Sequence, residues 1–114
     1  GSCYIDKDLK DQDIAIKDGK IIKIGKIESE AKDTFDAKGL IVLPGCIDTQ
    51  THFREPALTN TENLHSGSRA AIVGGSTSVF EMPNTNPPTS TKVEFQKKLD
   101  LAKNRMYCNY EFKQ

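Results

Sequence analysis

Leu43-Pro44-Gly45-Cys46-Ile47-Asp48-Thr49-Gln50-Thr51-His52-Phe53-Arg54-Glu55-Pro56 is the stretch on which the fold turns. Pro44-Gly45 breaks an apolar run, and Cys46 to Phe53 then reads as a buried strand that opens at Arg54-Glu55-Pro56 into a polar loop. Side chains at i and i+2 share a face of a strand. Asp48, Gln50 and His52 are therefore expected to point one way, and Ile47, Thr49, Thr51 and Phe53 the other. A strand of a closed parallel barrel shows this division, with helices over one face and a chemical mouth at the C-terminal end of the other.

Downstream, Thr59-Asn60-Thr61-Glu62 has capping-box spacing, which predicts a helix from about Asn60 to Val73. Its inward stripe is Leu64, Ser68, Ala71 and Ile72, with Gly74-Gly75 as the stop and small residues that permit close approach to a sheet. Thr77 to Met82 reads as a second strand. Pro83-Asn84-Thr85-Asn86-Pro87-Pro88 follows as a loop. Thr91-Lys92-Val93-Glu94 is another capping box, starting a helix with Phe95, Leu99, Ala102 and Met106 on one face, and Tyr107 to Phe112 reads as a third strand. Strand, helix, strand, helix, strand is the βαβαβ pattern of a parallel sheet with right-handed crossovers.

Upstream, Ile14 and Ile16, then Ile22 and Ile24, alternate with polar residues around Asp18-Gly19, a strong hairpin signal because Asp-Gly readily supplies the positive φ angles of a type I′ turn. Thr34 to Leu43 reads as a third antiparallel strand with a bulge or turn at Lys38-Gly39. A boundary near Pro44 thus divides residues 1–44, a small β-sheet, from residues 45–114, the start of a barrel. Gly1-Ser2 resembles what tag cleavage leaves and is kept out of this reading.

The 114 residues allow one small domain with a modest core. With 16 basic and 16 acidic side chains and no basic block, the sequence carries no signal for nucleic acid or an anionic membrane surface. No apolar run approaches the roughly 20 residues of a membrane span, so a cytoplasmic protein is expected. Cys3, Cys46 and Cys108 are widely spaced and odd in number, which argues against a disulfide framework; they read as reduced thiols, Cys46 buried.

Gln50-Thr51-His52-Phe53-Arg54-Glu55-Pro56 and Met82-Pro83-Asn84-Thr85 together resemble the dihydroorotase branch of the cyclic amidohydrolases. The first motif in that family reads His-x-His-x-Arg-x-Pro; here Gln50 stands at the first histidine. The resemblance implies a TIM-like (β/α)8 metal-dependent hydrolase barrel preceded by β-sandwich strands, of which this chain holds the N-terminal strands and the first βαβαβ. It implies zinc as cofactor, His52 as a metal ligand, and Arg54 and Asn84 as residues that bind the carboxylate of dihydroorotate while its ring amide is hydrolysed to N-carbamoyl-aspartate.

Two histidines at i and i+2 lie roughly 6–7 Å apart and can converge on one ion, whereas the neutral amide of Gln50 is a poor zinc ligand. Taken alone, His52 also suits a satisfied strand-end histidine, Arg54 an ion pair with Glu55 or Glu62, and Asn84 an ordinary turn residue. Asp48 is expected to hydrogen-bond within the barrel, and His65 to be a surface residue of the first helix. No turnover is expected from this chain alone. It reads as a piece of a longer enzyme, as a non-catalytic homologue serving as a structural or partner subunit, with aspartate transcarbamoylase as the partner by family analogy, or as an enzyme with an altered metal site. Homo-oligomerisation through the open sheet edges is expected.

Overall fold

The computed structural model describes residues 1–114, which divide into two compact units, Gly1–Pro44 and Gly45–Gln114. Each unit has its own sheets.

In the first unit, β1 (Ser2–Ile5) and β2 (Asp8–Asp11) form an antiparallel hairpin, turned at Asp6 and Lys7, both with positive φ. β3 (Asp13–Lys17) and β4 (Lys20–Gly25) form a second, and Asp18 and Gly19 at its turn have φ of 51° and 72°. Two consecutive positive φ angles are what a type I′ turn requires. The predicted third strand over 34–43 contracts to β5 (Ile41–Val42), which pairs parallel to β1. The sheet order β2-β1-β5 is therefore mixed, with β3-β4 separate, instead of three antiparallel strands. The Lys38-Gly39 turn, closed by Asp36 on the Lys38 N–H, takes up the residues the strand would have used. Ile16, Ile21, Ile22 and Ile24 are exposed along with the lysines between them.

The second unit is a parallel sheet of order β6-β7-β8, built from β6 (Cys46–Thr51), β7 (Ser76–Glu81) and β8 (Asn109–Phe112). α1 (Leu64–Val73) and α2 (Lys92–Ala102) are the crossovers. The expected βαβαβ unit is present. Its core joins Phe53, Leu64, Val79, Ala102, Cys108 and Phe112, with Phe95, Leu99 and Met106 packed alongside. Burying each large member contributes about 1.5–3 kcal/mol.

Several local expectations are corrected. α1 starts at Leu64, because Asn63, not Thr59 or Asn60, is the N-cap: its side chain accepts from the Ser66 N–H, and Ser66 reciprocates on the Asn63 N–H. Residues 58–61 are instead a turn closed by Thr61 N–H on the Leu58 carbonyl. The inward stripe of α1 is Leu64, Gly67, Ser68 and Ala71, while Ile72 faces out. Gly67 lies where a Cβ would strike the Phe53 ring, so the close approach rests on its missing side chain. β8 begins two residues later than expected, since Tyr107 turns its hydroxyl to His65 Nε2 (3.2 Å) on the exposed face.

β6 differs most from its sequence reading. Cys46 and Ile47 are exposed, Ile47 at 62 %, because α1 packs on β7 and α2 on β8, leaving β6 as an uncovered edge. Its register against β7 also slips between Asp48 and Thr51, a β-bulge that interrupts strict alternation across Gln50. Asp48 Oδ1 accepts from the Gln50 N–H (2.9 Å) there, a bond within its own exposed strand instead of one into the barrel.

Candidate functional site

His52, Arg54 and Asn84 all follow the C-terminal ends of β6 and β7. Met82 N–H bonds the Thr51 carbonyl (2.9 Å) and Thr51 Oγ1 bonds the Phe80 carbonyl (3.2 Å), so the two strands stay paired to the point where their loops begin. From there His52 and Asn84 meet. His52 Nδ1 lies 2.8 Å from Asn84 Oδ1. With the amide oxygen as acceptor, Nδ1 carries the proton and the Nε2 lone pair is left for another partner.

The Asn84 loop holds its own shape. Thr85 and Thr89 N–H both donate to the Pro83 carbonyl (2.9 Å each), and Thr85 Oγ1 donates to the Pro87 carbonyl (3.0 Å). Both threonines are buried beneath the loop while Asn84 stays exposed. On the other loop Arg54 is half-buried with φ of 62°, in the left-handed region that non-glycine residues rarely adopt. It makes neither of the ion pairs open to it on sequence. Glu55 belongs instead to Arg105.

That pairing was not visible in the sequence. Arg105 Nη1 and Nη2 donate to the two Glu55 oxygens (2.9 and 3.1 Å), and Leu64 N–H donates to Glu55 Oε2 (2.9 Å), tying the loop to the start of α1 and to the α2–β8 connection. Burial pushes the Glu55 carboxyl up, but the Arg105 and Leu64 hydrogen bonds outweigh it and hold the group below its ordinary value.

A second unforeseen pair lies directly beneath the site. Lys98 of α2 and Glu81 of β7 are 1 % and 0 % exposed and form an ion pair. Lys98 Nζ also donates to the Met82 carbonyl (3.2 Å) and lies over the Phe112 ring. Neither Glu81 oxygen completes a hydrogen bond of ordinary geometry. Desolvation raises the Glu81 pKa, opposed by Lys98, the neighbouring Phe53 N–H and His52. Both residues were legible in principle. Glu81 is i+2 from Val79, and Lys98 is i+3 from Phe95 and four before Ala102, so each falls on the inward side of its own element.

For a metal ion, the donor set offers one good ligand. His52 fits, since a hydrogen bond on one ring nitrogen orients the other for coordination. Gln50 adds only a neutral amide oxygen, and no three His, Cys, Asp or Glu side chains lie close enough to share an ion. His65 is exposed on α1, and its Nε2 meets the Tyr107 hydroxyl (3.2 Å). No helix is long and apolar enough to cross a membrane.

Residues 41–112 match the amidohydrolase family model. The chain belongs to the amidohydrolase family. It is 38 % identical over 109 residues to a dihydroorotase of Methanothermobacter thermautotrophicus, covering 96 % of this chain and 25 % of that one. It is 41 % identical over 107 residues to an allantoinase of Escherichia coli, covering 93 % and 24 %. Among solved structures it resembles the L-hydantoinase (dihydropyrimidinase) of Arthrobacter aurescens, with a TM-score of 0.86 at 33 % identity over 97 % of this chain and 26 % of that one. The chain thus spans about a quarter of the length of these relatives.

Proposed function

We propose that this chain carries the carboxylate-recognition portion and one metal ligand of a dihydroorotase-type cyclic-amide hydrolase, as the opening βαβαβ of a TIM-like barrel behind β-sandwich strands. The observation that carries this is the His52–Asn84 contact, which joins the His-Phe-Arg-Glu-Pro loop to the Met-Pro-Asn-Thr loop.

In the reaction, water adds across the ring amide: an oxygen bonds to the carbonyl carbon, the C–N bond breaks, and the nitrogen takes a proton. A zinc ion, when bound, supplies hydroxide at neutral pH, and His52 Nε2 is the ligand this chain would contribute. Asn84 spends its oxygen on His52 and keeps two N–H donors for an anionic oxygen. Arg54 supplies the guanidinium fork suited to the same carboxylate. Dihydroorotate carries that carboxylate and allantoin does not, which is why Arg54 and Asn84 favour the first.

Labelled chain titrated with dihydroorotate and with allantoin tests this. Dihydroorotate is expected to shift the amide signals of Arg54 and Asn84, with the response lost in Arg54→Met. Equal responses to both compounds, or none to either, would refute it.

Gln50 supports a second reading, a binding subunit without turnover, because it removes an imidazole where the related motif has one. Dihydroorotate binding without turnover in an assembled, zinc-loaded complex would favour that reading.

A further inference from the structure

The Glu81–Lys98 pair has no role in the reaction outlined above, yet its position is specific. Its two ends reach the two segments that meet at the site. The Glu81 carboxylate faces the N–H of Phe53, the residue after His52. The Lys98 ammonium donates to the carbonyl of Met82, two residues before Asn84. Both side chains are fully buried, from different elements.

A buried ion pair is a weak source of stability, because desolving two charges offsets most of their attraction and apolar replacements of similar volume are often neutral or stabilising. What such a pair can supply is a fixed geometry, since each charge must find the other and every remaining donor must find an acceptor. Here Lys98 is held by the Met82 carbonyl, close to Asn84, and Glu81 sits opposite Thr51, beside His52.

We propose that Glu81 and Lys98 are positioning residues, holding the ends of β6 and β7 so that His52 keeps its Nδ1 proton on Asn84 and presents Nε2 outward. This rests on the reading of His52 and Asn84 as site residues, but its test does not depend on turnover or on ligand binding.

The test is the tautomeric state of His52, read from the nitrogen shifts and couplings of its ring at about pH 8, where an unperturbed imidazole is neutral. The double variant Glu81→Met/Lys98→Met removes both charges at similar length. It is expected to stay folded, with unchanged core signals from Leu64, Val79 and Ala102, while the single Nδ1-protonated form of His52 gives way to a mixture of tautomers. Glu81→Gln keeps a carbonyl oxygen before Lys98, and is expected to restore the single form.

A folded double variant with His52 unchanged would overturn the proposal. So would a double variant that fails to fold, since the pair would then be holding the fold and not the site. Loss of the single form in folded Glu81→Gln would overturn it too. If the tautomer responds as expected but dihydroorotate does not bind, the positioning role stands and the substrate assignment falls.

Discussion

Glu55 receives both terminal nitrogens of Arg105, fifty positions later in the chain, at 2.9 and 3.1 Å. Its second oxygen also caps the Leu64 N–H at the start of α1. Glu55→Gln is expected to lower stability by about 1–3 kcal/mol at neutral pH, the range for losing charge-assisted hydrogen bonds at a buried carboxylate. Arg105 is 36 % exposed, which keeps the figure below that of a fully buried pair. The folded pKa of Glu55 lies below its ordinary value near 4.5. Its contribution is therefore present above that value and lost as pH falls through the lower, folded one. Urea midpoints of the two proteins should differ at pH 7 and converge on acidification; a gap that widens in acid would contradict the assignment.

Gly67 and Gly74 give a matched pair of substitutions on α1. Alanine is the better helix former by about 1 kcal/mol. At Gly67, however, the added methyl would meet the Phe53 ring, while at Gly74 it makes only near-ordinary contacts with the Ala70 and Ala71 carbonyls, at φ −79°. Gly67→Ala should cost about 1–3 kcal/mol through overpacking, and Gly74→Ala should change stability by less than about 1 kcal/mol. Thermal melts that rank them the other way would show that α1 does not seat on Phe53.

Gly19 at the β3–β4 turn has φ of 72° with open space around it. Gly19→Val is expected to cost roughly 1–2 kcal/mol, from the left-handed backbone alone. Amide exchange should speed up across 13–25 and stay unchanged in β6, β7 and β8. Uniform acceleration would mean that the hairpin does not open independently.

Gln50→His restores an imidazole beside His52. A second imidazole should raise zinc affinity at least about tenfold, by analogy with the losses that follow ligand-shell changes, and His52→Ala in that background should abolish the gain. Calorimetry with zinc alone reads both. An unchanged affinity would mean that the bulge between Asp48 and Thr51 turns position 50 away from His52.

The order of elements after Pro44 was legible because each carries a period: apolar runs for strands, threefold and fourfold spacing for helices, and proline-rich loops between. Both motifs were legible as strand-end loops, but the contact between His52 and Asn84 was not. What periodicity could not supply was competition between neighbours. Asn63 and Thr59 both suit a helix cap, and only the Ser66 hydroxyl three residues later decided for Asn63. The exposure of Cys46 and Ile47 depends on which strands the helices cover, a tertiary fact. Lys98 and Glu81 lie on inward positions of their elements, but charge is ordinarily a sign of solvent, and only their mutual pairing makes burial tolerable.

The two kinds of sheet also imply two clocks. Lys17 and Lys20 are cross-strand partners separated by a two-residue turn, so the β3–β4 hairpin can close on the microsecond scale. Cys46 pairs with Ser76, and Ser78 with Asn109, so each parallel pairing must first enclose a loop of roughly thirty residues, whose closure entropy precedes any reward from the contact. During synthesis or refolding, the segment holding His52 therefore waits, edge open, for β7 to arrive, and the site exists only after the slower of the two events.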